Sequence, residues 1–192
     1  ALLAGVVLAE NEAKQGGGLA VEEASTATVQ ASVIRDNVAP SGGGIFVRSG
    51  CTVKLTGCEI RDNTISADFG NGGGVCVQNS HCDISGCTIA GNVTRGSGGG
   101  LAYLDGATGT VQDSELRGNS TAASFNYGGG ITCQSSAPVL RNLLLVNNQA
   151  ASNGSDGGGL DAQFAPAPTV ENCTFVGNGC ASDGVAGGIL AQ

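Results

Sequence analysis

The sequence predicts an all-β fold, a right-handed parallel β-helix of about seven coils, each 26–30 residues long. Three observations predict it. A glycine cluster and an asparagine recur together along the whole chain, all length variation between copies falls in one segment, and branched aliphatic residues keep fixed offsets from the asparagine.

The glycine anchor is a triplet or pair followed by an aliphatic residue, ending at Leu19, Ile45, Val75, Leu101, Ile131, Leu160 and Ile189. The second anchor is an aliphatic residue or Phe followed three positions later by Asn: Leu8/Asn11, Ile34/Asn37, Ile60/Asn63, Ile89/Asn92, Leu116/Asn119, Leu145/Asn148 and Phe175/Asn178. From the last Gly of a cluster to the next Asn is always 18 or 19 residues, whereas from Asn to the next such Gly varies from 7 to 11. One side of each coil is therefore constant and one loop is not.

Alignment on the Asn exposes the strands. Eight positions before it stand Leu3, Val29, Leu55, Ile84, Val111, Leu140 and Val170, all branched and aliphatic. Five before it come Val6, Ser32, Cys58, Cys87, Ser114, Leu143 and Cys173, all fit to point inward. The column between, Gly5, Ala31, Gly57, Gly86, Asp113, Asn142 and Asn172, holds, apart from Ala31, residues that enter the left-handed region readily, and predicts a sharp bend between two short strands. The glycine anchor opens a third strand with inward pairs at period two, such as Ile45/Val47 and Val75/Val77. Three strands, one bend and one variable loop define the expected coil. A leucine-rich solenoid would need LxxLxL spacing and room for a helix, and the sequence has neither.

These glycine-aliphatic and aliphatic-x-x-Asn anchors, with a literal FVGN at Phe175 to Asn178, resemble the repeats of chlamydial polymorphic outer-membrane proteins and, more broadly, the pectate-lyase-like β-helix superfamily. The resemblance covers the whole chain, although this sequence prefers GGG to GGA and carries more cysteines. It implies the fold. It leaves function open, because the superfamily hosts lyases, hydrolases, adhesins and structural proteins.

Composition agrees with regular stacking. Glycine fills 34 of 192 positions, Trp and Met are absent, and charged residues make up 12%, so the core must come from Val, Ile, Leu, Ala and Cys. A net charge of −8, with two Lys and six Arg scattered along the chain, argues against nucleic acid and anionic membranes as partners. The opening ALLAGVVLAE is apolar but lacks a basic flank and fits the repeat, so it reads as a coil rather than a targeting segment. No apolar run is long enough to insert into a membrane. Neither end reads as capped, which predicts one repeat domain within a longer chain whose further coils would be its neighbours.

Catalytic chemistry is hard to assemble from these residues. Seven copies of Asn read as a structural ladder of stacked amides rather than an active site. Glycoside hydrolysis needs a facing carboxylate pair, and the superfamily resemblance implies that lyases would place acidic calcium ligands and a basic residue on the glycine-anchored strand. The outward column there reads Ala20, Phe46, Cys76, Ala102, Thr132, Asp161 and Leu190, in which Asp161, near Asp156, is the one acid. His81 sits beside Cys82 and Asp83, but neighbours in a turn rarely converge on one ion. Catalytic residues, metals and cofactors are all expected to be none.

Eight cysteines suggest an oxidising compartment, against the alternative of small buried hydrophobes. Cys58 and Cys87 share an inward column whose parallel Cβ vectors would strain a disulfide, so the expected bridge is Cys51–Cys82. Of four sequons, Asn153 lies in a variable loop and is the expected glycan acceptor, while Asn92 and Asn119 belong to the ladder.

The variable loops, residues 64–71, 93–97, 120–127, 149–156 and 179–186, stack along one edge and carry Phe69, Phe125 and Tyr127, with Asp156 beside them. Loops on a rigid scaffold are where recognition usually lives; the alternative is that the rings fold back as spacers over the strands. The expected function is therefore an extracellular or cell-surface structural or adhesive domain, binding a protein or glycan of a surface or matrix through this edge. The alternative is a carbohydrate-active β-helix whose catalytic coils lie outside this stretch.

Overall fold

The computed structural model describes residues 1–122, 127–150, 156–181 and 183–192. Each coil runs through four short strands that join four parallel sheets. Sheet A comprises Leu2–Ala4, Thr26–Gln30, Thr52–Thr56, His81–Ser85, Thr110–Gln112, Val139–Arg141 and Thr169–Glu171. Sheet B comprises Val7–Ala9, Val33–Arg35, Glu59–Arg61, Thr88–Ala90, Glu115–Arg117, Leu144–Val146 and Thr174–Val176. Sheet C consists of two-residue strands, Val38–Ala39, Thr64–Ile65, Val93–Thr94, Ser120–Thr121, Gln149–Ala150 and Gly179–Cys180. Sheet D comprises Leu19–Val21, Ile45–Arg48, Val75–Gln78, Leu101–Leu104, Ile131–Gln134, Leu160–Gln163 and Ile189–Ala191. With seven strands in three sheets and six in the fourth, the solenoid makes about six complete turns.

Sheet C was not among the three expected strands. Its two-residue segments directly follow the Asn and are too short to show a period of two, so no pattern in the sequence marks them.

In-register stacking turns the aliphatic columns into the core. Leu3 pairs with Val29, Val29 with Leu55, Leu55 with Ile84, and so on to Val170. Val29, Leu55, Ile84, Val111 and Leu140 are buried, as are Ile34, Ile60, Ile89, Leu116 and Leu145 of sheet B and Ile45, Val75, Leu101, Ile131 and Leu160 of sheet D. Each such side chain contributes about 1.5–3 kcal/mol. Tyr103 is the largest fully buried side chain among the described residues. It stacks between Val77 and Cys133, and its hydroxyl donates to the Cys82 carbonyl at 2.9 Å, so burial leaves no unpaired polar atom.

Corners throughout the coil use the left-handed region, and two of them flank sheet B. The expected A-to-B bend is present in every coil, with φ from +44° at Ala31 to +64° at Gly5. A second, unexpected column precedes the ladder Asn: Glu10, Asp36, Asp62, Gly91, Gly118, Asn147 and Gly177 lie at φ +54° to +63°. Gly, Asn and Asp fill six of these seven places, a signal that the sequence offered.

The glycine triplet has a stacking origin. Its first member is left-handed, at φ +58° to +72° in the six full triplets. The second and third face the next coil's backbone: a Cβ on Gly73 would stand 2.4 Å from the Gly99 carbonyl oxygen, and one on Gly74 2.7 Å from that of Gly100. The third glycine also lines the Asn, since a Cβ on Gly74 would come within 3.1 Å of Asn92 Nδ2. The two anchors of the repeat are thus one packing unit.

The Cys51–Cys82 bridge is not formed. His81 pairs with Thr52, so Ser80 rather than Cys82 lies over Cys51, whose N–H donates to Ser80 Oγ at 3.1 Å. Cys82 stacks instead on Val53 two residues further along the strand. Both are buried free thiols, as are most of the eight, which matches the alternative of small core hydrophobes.

Candidate binding edge

The strands of sheet C separate two unlike corners. On their N-terminal side the asparagines form a continuous ladder. Asn63 donates from Nδ2 to Asn92 Oδ1 at 3.0 Å and to the Ile34 carbonyl at 3.0 Å, while its backbone N–H also donates to Asn92 Oδ1 at 3.0 Å. The same pattern links Asn11, Asn37, Asn92, Asn119, Asn148 and Asn178 in series. The acceptor in the preceding coil is always the carbonyl of the aliphatic residue three before its Asn, from Leu8 to Leu145, and this explains the aliphatic-x-x-Asn spacing. Asn37, Asn63, Asn92, Asn119 and Asn148 are wholly buried, so Asn92 and Asn119 are closed to glycosylation.

On the C-terminal side the loops cross-link from coil to coil by short polar side chains. Thr94 Oγ1 donates to the Gly70 carbonyl at 2.6 Å, Ser97 N–H donates to Asn71 Oδ1 at 2.8 Å, and Tyr127 N–H donates to Ser97 Oγ at 3.1 Å. Thr132 Oγ1 donates to the Tyr127 carbonyl at 2.6 Å. Tyr127 and Asp156 pair as a parallel bridge, and Asp156 Oδ1 accepts the Val185 N–H. Gly70 has no room for a side chain, because a Cβ there would stand 1.8 Å from the Pro40 carbonyl oxygen.

Of the expected binding residues, Phe69 stands out. Its ring is 81% exposed and its φ is +63°, a conformation costly for a bulky residue. Asp68 beside it pairs with Arg95 of the next loop at 2.8 Å. Tyr127 and Asp156 are part of the loop scaffold and only partly exposed. Phe125 and Asn153 lie outside the described residues. Among the described loop and turn residues, two exposed apolar side chains escaped the sequence reading: Val185, 72% exposed in the last loop, and Phe164, 66% exposed in the D-to-A turn. Phe164 sits in FAPAP, a turn whose proline content was the available signal.

The outward column of sheet D differs from expectation. Phe46, Cys76, Ala102, Thr132 and Asp161 are buried, and Phe46, Cys76, Ala102 and Leu104 make a second small apolar cluster. The first glycine of each triplet closes over this column: a Cβ on Gly72 would stand 2.7 Å from Cys76 Cβ, and one on Gly157 2.7 Å from Asp161 Cβ. Asp161 is fully enclosed. Gln163 Nε2 approaches its Oδ1 at 3.5 Å while Oδ2 has no partner. Burial, with a smaller push from Asp156, raises its pKa to about 7. His81 is a surface residue between Thr108 Oγ1 at 3.0 Å and Asp83 Oδ1 at 3.3 Å. Among the described residues no three His, Cys, Asp or Glu side chains converge as metal ligands, and no helix is long and apolar enough to cross a membrane.

A repeating four-sheet coil with a buried Asn ladder defines a parallel β-solenoid, and the family comparison agrees. The model for the right-handed β-helix region matches residues 17–190, and the chain belongs to that family. No curated protein and no solved structure matches it. The match stands at the level of the fold and does not reach the narrower likeness to chlamydial repeats.

Proposed function

We propose that this chain is a structural or adhesive β-helix domain of a cell surface or extracellular matrix, which binds a protein or glycan through its stacked loop edge. The observation that carries this reading is Phe69: an aromatic residue almost wholly in solvent, held in the left-handed region at the tip of a loop whose flanks are hydrogen-bonded to the following coil through Thr94 and Ser97 and to the preceding one through Ala39 and Gly42. Such a ring adds nothing to the core, and exposed aromatics on rigid supports are favoured anchors in recognition. The surface placement rests on the repeat architecture and its resemblance, since buried free thiols give no support for an oxidising compartment.

The test is a glycan and cell-surface-protein array probed with the folded chain and with Phe69→Ser. The variant should lose most binding at an unchanged melting temperature. Lost stability with binding intact would make Phe69 a packing residue, and measurable cleavage of pectate, alginate or hyaluronan by this chain would overturn the reading.

A further inference from the structure

Cys58 and Cys87 occupy the same place in successive coils, one residue after the A-to-B bend. The Cys58 N–H donates to Cys87 Sγ at 3.3 Å, and Thr88 N–H donates to the Cys58 carbonyl at 2.9 Å, so the two residues are stacked directly. Backbones stacked this way lie about 4.8 Å apart, within the roughly 4.4–6.8 Å Cα separation that a disulfide spans. No other cysteine has a cysteine above or below it. Cys51 stacks on Ser80, Cys76 between Phe46 and Ala102, Cys82 on Val53, Cys133 between Tyr103 and Ala162, Cys173 on Leu143, and Cys180 on Ala150.

The bend beside this pair is open. Gly57 and Gly86 immediately precede the two cysteines and are exposed. A Cβ on Gly57 would meet nothing within 4 Å, and one on Gly86 would meet only Gly57 N at 4.0 Å. Three other coils carry Asp113, Asn142 or Asn172 at this place, so the thiols lie one residue beneath a corner without side chains.

We propose that Cys58 and Cys87 are a redox modification site, which closes to an inter-coil disulfide by exchange with a small-molecule disulfide of the glutathione type. Cys58 is the attacking sulfur: the Cys87 side chain beside it, against the effect of burial, lowers its pKa to about 6, while Cys87, whose thiol donates to the Ser85 carbonyl at 3.4 Å, is pushed up. The Cys58 thiolate attacks one sulfur of the oxidant and releases one thiolate, giving a mixed disulfide. Cys87 then gives up its proton to that thiolate and attacks Cys58 Sγ, releasing the second. Two protein thiols are oxidised, and one small disulfide is reduced to two thiols. Parallel Cβ vectors leave the bond strained and readily reversed by reduced thiol.

Serine replacements are well-behaved controls. Ser32 and Ser114 hold the neighbouring places in the column, where each Oγ donates to a carbonyl two residues earlier at 2.7 Å and accepts an N–H from the coil before it.

The experiment incubates the folded chain over a series of glutathione disulfide to glutathione ratios, traps thiols by alkylation, counts them after denaturation and maps unreduced peptides by mass spectrometry. The expected result is a fall from eight thiols to six with one 58–87 cross-link, reversed by excess glutathione. Cys58→Ser and Cys87→Ser should each keep all seven remaining thiols out of cross-links, while Cys173→Ser should still form the bond. Eight free thiols at every ratio, a stable glutathione adduct on Cys58 without cross-link, or a cross-link through other cysteines would overturn the assignment.

Discussion

The strands of sheet C, two residues long, separate the most constant corner of the molecule from the most variable one. Before them, each Asn from Asn37 to Asn148 fills its hydrogen-bonding capacity with partners from the coils on both sides, and these five are fully buried. After them, loops of different length meet through single side-chain hydrogen bonds, donated by Thr94 and accepted by Asn71 and Ser97. A buried amide fixes the chain length between anchors, because displacement by one residue would orphan several polar groups at once. A loop joined by a few surface contacts tolerates insertion. Constancy and variation thus follow from where the backbone's polar groups find partners.

This contrast is broken most directly at Asn92. Asn92→Leu removes the acceptor for Asn63 N–H and Nδ2 and the donor to the Ile60 carbonyl, leaving buried groups unpaired. The expected loss is roughly 3 kcal/mol, read from denaturant unfolding. Asn11→Leu, at an exposed end of the ladder, should cost well under half as much, and equal costs would contradict a ladder whose strength lies in burial.

Gly74→Ala tests whether the two repeat anchors are one unit. Its methyl would stand 2.7 Å from the Gly100 carbonyl oxygen and 3.1 Å from Asn92 Nδ2, so backbone and amide must both shift. Overpacking of this kind costs about 1–3 kcal/mol. Combined with Asn92→Leu, the effects should fall short of additive, as for residues sharing a contact.

Asp161 sharpens the comparison on the loop side. Its folded pKa of about 7 lies above the unfolded value of about 3.9, so the folded chain binds the proton more tightly. Its contribution to stability is therefore complete below about pH 4 and is lost as pH rises to about 7. Asp161→Asn should abolish that slope, and the stability difference, variant minus wild type, should grow by on the order of 1–3 kcal/mol over this window and then level. A difference independent of pH would show that the carboxyl reaches solvent. The smallest effect belongs to Phe69→Ser, which should change stability by less than about 0.5 kcal/mol by the same unfolding measurement.

Much of this architecture is legible in the residues. The core columns, the A-to-B bend and the ladder all recur in phase, and repetition lifts a weak single-coil signal above noise. Ala31, the one residue in the bend column that disfavours it, still adopts φ +44°, because its neighbours in the stack impose the corner. Sheet C stayed hidden because two residues carry no period. The burial of Phe46, Cys76 and Asp161 was missed for another reason: alternation along a strand separates inward from outward, but whether loops cover the outward face depends on how they fold back. The Cys51–Cys82 bridge failed on a register offset of two residues, which only the pairing of His81 with Thr52 reveals. At the binding edge, sequence picked out Phe69 by residue type; the structure adds that it alone of the described expected residues is fully presented.

The ladder also has a direction. From Asn37 to Asn178 each side-chain carbonyl takes its hydrogen bonds from the coil before it, and from Asn11 to Asn148 each carboxamide donates one onward to the coil after, without reversal. Seven amide dipoles therefore point the same way along the solenoid axis, in a protein interior that screens them poorly. Each further coil lengthens this array by one member, so the molecule carries an internal electrical polarity that grows with the number of its repeats and distinguishes one end of the rod from the other.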